Sequence, residues 1–150
     1  MSLRRPVLAA VATLALVGAA GCSANSVLDL KVGDCLNQSD LEGDTGDSGA
    51  DEVSSVEAVE CSEEHDAEIF AEHEFSGDDY PGLTAVQEES QEVCTEKFEE
   101  FIGVPYLESE LYFTMLYPSE QSWDDADDRT TLCIVLSEEP MTGSLEGAAI

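Results

Sequence analysis

The first apolar run is continuous. Val7 to Ala20 holds fourteen residues without a charge, interrupted only by Thr13 and Gly18. Beyond it the pattern breaks into short segments. Leu30-Lys31-Val32-Gly33-Asp34-Cys35-Leu36 reads as a strand or extended arm entering a Gly-Asp turn. Asn37 to Glu52 is Gly-rich and acidic with only Leu41 and Ala50 apolar, which predicts a loop without a core of its own. Val53, Val56, Val59 and Cys61 mark an imperfect strand, followed by a turn over Cys61 to Asp66. Ala67 to Phe75 alternates: Ala67, Ile69, Ala71, His73 and Phe75 share one face, with Glu68, Glu72 and Glu74 on the other. That is the pattern of a half-buried strand with its glutamates in water.

One helix is predicted, over Thr84 to Ile102, after the breaking cluster Gly77 to Gly82. Val86, Val93, Cys94, Phe98, Phe101 and Ile102 form one stripe at helical spacing, and six glutamates cover the rest. Thr84 is the expected N-cap with Gln87 as its capping-box partner, and Gly103 the expected C-terminal stop. Two strands follow, Leu111 to Tyr117 and Thr130 to Leu136, joined by a loop that carries Trp123. Pro140 to Ile150 reads as a tail lying over the surface. The order β-β-α-β-β, with four or five strands, predicts a small two-layer α+β domain. One amphipathic helix would cover one face of a mainly antiparallel sheet.

The leading apolar run has its own chemistry. Arg4 and Arg5 precede it, and Ala19-Ala20-Gly21-Cys22 ends it. A membrane-spanning helix needs about 20 apolar residues, so the run is too short to span and stay. A basic end, a short apolar stretch and small residues at the exit make an export signal. The exit resembles a bacterial lipobox, with Ala19 where Leu is commonest. The resemblance implies a lipoprotein signal peptide over residues 1–21, cleaved before Cys22, whose thiol would carry a diacylglyceryl group. Acyl chains of the palmitate kind would then hold the protein on the outer face of the cytoplasmic membrane, since two chains suffice for stable anchoring. Residues 22–29 would be a tether and 30–150 the displayed domain.

Composition narrows the function classes. The chain of 150 residues has five Lys and Arg against 34 Asp and Glu, a net charge of −29. Arg4 and Arg5 lie in the leader, so three basic side chains remain against 34 acidic ones, and the mature charge is −31. Such a surface repels phosphate backbones, which sets nucleic-acid binding aside. Three explanations of the acidity stay open: adaptation to a salty surrounding, a divalent-cation site, or a basic partner. Asp40, Glu42, Asp44 and Asp51 have the look of a calcium loop, but Thr45 stands where that loop requires Gly.

With Cys22 assigned to lipid, four cysteines remain: Cys35, Cys61, Cys94 and Cys133. None has the C-x-x-C spacing of a zinc or redox site, and an even number in an exported domain implies two disulfides. Cys35 and Cys61 belong to neighbouring extended segments and would close the acidic loop. Cys94 lies on the helix stripe and Cys133 within an apolar strand, so their bridge would staple helix to sheet. The expected pairing is therefore Cys35–Cys61 and Cys94–Cys133.

No catalytic constellation emerges. His65 and His73 stand eight residues apart, roughly 26 Å along a straight strand, too far to share a metal or a proton. No Gly-x-Ser-x-Gly elbow is present. Trp123, with Tyr106, Tyr112 and Tyr117, could stack a sugar or fill a core, and the core is the expectation. No catalytic, metal-binding or cofactor-binding residue is assigned.

Several stretches together resemble the septum formation family of actinobacterial envelope proteins. These are Lys31 to Leu36, Val59-Glu60-Cys61-Ser62-Glu63-Glu64-His65-Asp66-Ala67-Glu68, Cys94, Gly103-Val104-Pro105-Tyr106, Tyr117-Pro118-Ser119-Glu120-Gln121-Ser122-Trp123, Arg129 and Cys133. The likeness covers about residues 30–146. It departs at Glu64, where the family usually has Pro before the histidine. The resemblance brings no catalytic residues. It supports location and fold more than activity. Together with the lipobox-like exit, the leading expectation is a non-catalytic lipoprotein, anchored through Cys22 and supporting septum formation or envelope assembly through an envelope or division protein partner. The competing expectation is a ligand-binding or hydrolytic domain acting on cell-wall polymers, which would present Trp123 in a pocket beside unpaired carboxylates.

Overall fold

The computed structural model describes residues 25–42, 53 and 55–150. The leader, Cys22 and most of the acidic loop (Gly43 to Glu52) lie outside the described residues. A five-stranded antiparallel sheet has the order β4-β2-β5-β7-β6: β2 is Cys35–Leu36, β4 Ala58–Val59, β5 His65–Glu74, β6 Tyr112–Leu116 and β7 Thr130–Met141. A separate pair joins β1 (Asn25–Ser26) to β3 (Ser55–Val56). The long helix α1, Leu83–Ile102, crosses one face of the sheet, and a short helix α2, Glu120–Ala126, follows β6. The predicted α+β class, antiparallel sheet and both disulfides are present, and the strand expected over Val53 to Cys61 divides into β3 and β4.

The two long central strands are apolar on both faces. Cys133 and Val135 of β7 turn toward α1, where they meet Cys94, Phe98 and Ile102 with Phe70, Ala71, Leu111 and Leu145. Leu132 and Ile134 turn the other way, onto Leu30, Leu36, Val56, Ala67 and Ile69. The second face is thus covered by the segments before β5 instead of facing water. A continuous run such as Leu132 to Leu136 is the signature of a strand buried on both sides.

One bulge changes the reading of β5. Ile69 pairs with Ile134 but Ala71 with Cys133, so two residues of β5 advance against one of β7 and Phe70 is the extra residue. A bulge reverses the facing of every residue beyond it. Ala67 and Ile69 therefore pack on the second face, whereas Phe70 and Ala71 pack beneath α1. The single face expected for Ala67 to Phe75 does not exist. Glu68, expected in water, is 2% exposed. Its carboxylate accepts hydrogen bonds from the Ser144 hydroxyl at 2.7 Å and the Leu145 N–H at 2.8 Å. A buried carboxylate held by two donors ties the final segment to the sheet.

That segment is more than a surface tail. Leu145 is buried, and the N–H groups of Gly147 and Ala149 donate to the carbonyls of Phe101 and Ile102. They satisfy carbonyls left open at the end of α1. Gly103 closes the helix as expected, in the left-handed conformation at φ 93° with its N–H on Glu99 O. The start differs from expectation: Gly82 is the N-cap at φ 97° and makes no side-chain cap. The helix begins one residue before Thr84, and Gln87 instead donates to the Tyr117 hydroxyl at 2.7 Å.

The bridges join Cys35 to Cys61 and Cys94 to Cys133, with Cα separations of 5.3 and 5.5 Å across 26 and 39 residues. Closed loops of those lengths stabilise by about 3–4 kcal/mol each in the chain-entropy account. Cys94 and Cys133 are both fully buried, whereas Cys61 is half-exposed. Mild reductant without denaturant should therefore open Cys35–Cys61 first. Alkylation and mass mapping over time check this; label appearing first on Cys94 and Cys133 would contradict the burial order.

Candidate functional site

The residues singled out from sequence gather at two places. The first is the turn at the start of β5. Glu63 N–H donates to Glu60 O at 2.7 Å, closing the turn, and Cys61 beside it carries the bridge to Cys35 on β2. His65 is 1% exposed, and its Nδ1 lies 2.9 Å from Glu63 O. A carbonyl can only accept, so Nδ1 carries the hydrogen. Nε2 is buried without a partner, alone in this among the described residues. Asp66 accepts from Gln38 N–H at 2.6 Å, which holds the segment after β2 against the turn. Glu64, where the family usually has Pro, is exposed and leaves the turn intact.

The second place is the region from Tyr117 to Cys133. Pro118 is buried and Ser119 caps α2, with a reciprocal box between Ser119 and Ser122. Serine at both box positions, in place of the usual glutamate or glutamine at the second, hid this helix from the sequence reading. Asp127 ends the helix in the left-handed conformation at φ 55°. Asp128 accepts from the Ser122 hydroxyl at 3.0 Å and from Thr130 N–H at 3.1 Å, joining helix to strand.

Trp123 fills the middle of this knot. It is 1% exposed, packs with Phe75 and Val86, and donates its indole N–H to Asp78 O at 2.9 Å. Arg129 lies over the ring, its guanidinium carbon 4.0 Å from the centroid. The same guanidinium donates to Trp123 O at 2.8 Å and meets Asp127 at 3.0 Å. Stacking, forked donation and charge pairing thus converge on one side chain, which lysine could not reproduce. Tyr80 packs edge-on against Trp123, 5.5 Å between centroids, and burial with nearby Glu120 pushes its phenol up from the ordinary value. Tyr106 and Tyr117 join core clusters, and Tyr112 is exposed. The four aromatics therefore do not form one stacking platform.

His73 is separate from His65. It meets Glu89 of α1 at 2.8 Å, on the helix side to which the bulge turns it. Among the described residues no group of three or more His, Cys, Asp or Glu is placed to hold a metal. Two clefts flank the first arm. One, of about 200 Å³, is lined by Val27, Leu28, Leu30, Leu116 and Leu132 with Glu72, Asp128 and Thr130. Its neighbour, of about 210 Å³, shares Val27, Leu28 and Asp128. Trp123 lines neither, and the Asp128 carboxylate is already engaged by two donors.

A cysteine-bridged turn ending in His65 and a Trp–Arg knot ending in Cys133 are held on one antiparallel sheet. The family model described as septum formation matches residues 32–148. The chain belongs to the septum formation family. Membership carries a septum-related role. No curated protein and no solved structure matches the chain. Among the described residues no helix is long and apolar enough to cross a membrane.

In this member of the septum formation family the motif residues hold the fold together. Trp123→Ala should cost about 3–5 kcal/mol of stability, as a large buried aromatic does. Arg129→Lys should cost about 1–3 kcal/mol by leaving carbonyl acceptors unpaired. Denaturant unfolding of the oxidised protein checks both; an Arg129→Lys protein as stable as the parent would remove the knot from this account.

Proposed function

We propose that the protein is a non-catalytic lipoprotein of the cell envelope. Acylated at Cys22, it displays its acidic, disulfide-bonded domain outside the cytoplasmic membrane and supports septum formation through contacts with envelope or division proteins. The observation that carries this reading is the use made of the motif residues. The four domain cysteines are engaged in bridges, and Trp123 is sealed beneath Arg129 instead of lining a pocket. His65 and His73 lie in different environments, one buried in a turn and one paired on the surface. A wall-cleaving centre would need an accessible acid–base pair beside a sugar-stacking ring, and Trp123 is not available for that role.

The lipobox-like exit and the short apolar leader support anchoring, because the acceptor thiol sits directly after the small residues a signal peptidase requires. The anchor would work against the domain's charge: two acyl chains hold it to the membrane while anionic headgroups push it outward.

Cells lacking the native gene and supplied with the parent, Cys22→Ala or Glu72→Gln proteins test the reading. Cys22→Ala should lack the lipid and keep its leader uncleaved, because the thiol is the acceptor on which processing depends, and it should fail to support normal septa. Glu72→Gln, which removes the cleft carboxylate left open, should behave as the parent. A Cys22→Ala protein that has lost its leader and still fractionates with membranes would sink the lipid anchor, and loss of septal support by Glu72→Gln alone would revive the catalytic or ligand-binding alternative.

A further inference from the structure

Two strands end the sheet, and they differ. β4 is only two residues long, whereas β6 spans Tyr112–Leu116 and pairs with β7 alone among the described residues. Alternate residues of a strand direct their N–H and C=O groups to opposite sides, so an edge strand offers a row of open donors and acceptors. Proteins commonly blunt such edges with charges, prolines or bulges. β6 has none of these devices. Leu111 to Tyr117 reads Leu-Tyr-Phe-Thr-Met-Leu-Tyr, without charge, Pro or Gly, in a chain that is 26% charged. Its register on β7 runs without a break from Tyr112↔Leu136 to Leu116↔Leu132.

Exposed apolar side chains collect at one end of the same strand. Leu107 is 94% exposed, Tyr112 53% and Ile150 49%. Ser109, between Leu107 and Tyr112, donates its hydroxyl to Ile150 O and accepts from Leu111 N–H, which fixes Ile150 beside the segment that leads into β6. The opposite side of β6 is fixed from behind, with Phe113 against Tyr106 at 4.7 Å and Phe98 at 6.0 Å. A rigid backing, an open backbone edge and an apolar apron are what strand addition requires.

We infer that β6 is a docking strand for an extended segment of a partner protein, apolar at alternate positions and carrying Lys or Arg at its ends. Charge selects this occupant over a second copy of the chain. Glu108 and Glu110 precede β6 and Glu120 follows it. Pairing β6 with itself, parallel or antiparallel, sets acid against acid at both ends. The three Lys and Arg among the described residues do not relieve this, because Lys31, Lys97 and Arg129 are already paired with Asp34, Glu100 and Asp127. A basic-ended strand meets those glutamates favourably and brings backbone groups that complete the edge. The acidity of the domain thereby guards an otherwise unprotected edge against self-association while leaving it open to a cationic partner.

The inference deepens the proposed protein-contact role, but its test needs neither the anchor nor a cell. A peptide of alternating Val and Thr with two Lys at each end is fused after Ile150 through a Gly-Ser linker of about ten residues, giving a millimolar effective concentration. Amide exchange by NMR is compared with the unfused, disulfide-intact protein and with a fusion whose end residues are Glu. The Lys-ended fusion should slow alternate β6 amides at least tenfold, and the Glu-ended fusion should leave them unchanged. Three results would overturn the inference: no β6 protection, equal protection by both fusions, or concentration-dependent dimers of the unfused protein that protect β6.

Discussion

Carboxylate repulsion is the constraint under which this domain folds. From Cys22 onward, 34 acidic side chains face three basic ones, and each of the three is already in an ion pair. Surface pairs of this kind contribute little, so electrostatics opposes the compact state almost everywhere. What resists it must be non-ionic. The apolar faces of β5 and β7 supply one part, buried beneath α1 on one side and beneath Leu30, Leu36 and Val56 on the other. Covalent closure supplies the second, with one bridge between neighbouring strands and one from helix to sheet. Hydrogen bonds that engage a carboxylate inside the fold supply the third. Glu68 and Asp128 are acids turned into ties, each accepting from two neutral donors.

This constraint also orders the functional residues. Among the described residues Arg129 is the one cation placed deep enough to serve the structure, and it is committed to Trp123 and to the carbonyl beside it. The motif that runs from Tyr117 to Cys133 therefore reads as a clamp. It anchors α2 at the Phe75 end of β5, while the Cys61–His65 turn fastens the other end of that strand. A clamp at each end of the central strand leaves the outer surfaces free to differ, and those surfaces are the glutamate-covered face of α1 and the bare edge of β6. The motif residues support those outer surfaces from behind.

Much of this was legible in the chain. The helix followed from six apolar positions at helical spacing and from Gly103, and the disulfide pairing from where each cysteine fell along its element. The misses have particular causes. The bulge at Phe70 is invisible to a period-two pattern, because Ala67, Ile69, Ala71 and Phe75 look continuous whichever face each takes. Glu68 was placed in water because its partners come from Ser144 and Leu145, far along the chain. Gln87 matched a capping box by spacing but found Tyr117, since Gly82 lets the helix start earlier. Trp123 was placed in a core correctly, but α2 around it was missed because its box uses serine twice. The open edge of β6 follows from strand order, which no local pattern states.

The central claim is that apolar burial and two bridges hold this domain against its own charge. It is tested by the melting temperature of the oxidised protein in sodium chloride from about 0.01 to 1 M, across which the Debye length falls from about 30 to 3 Å. The account predicts a steady rise, as screening weakens repulsion while burial and disulfides are unaffected or strengthened. A melting temperature that falls over this range would contradict it, as would calcium giving a much larger gain than sodium at matched ionic strength.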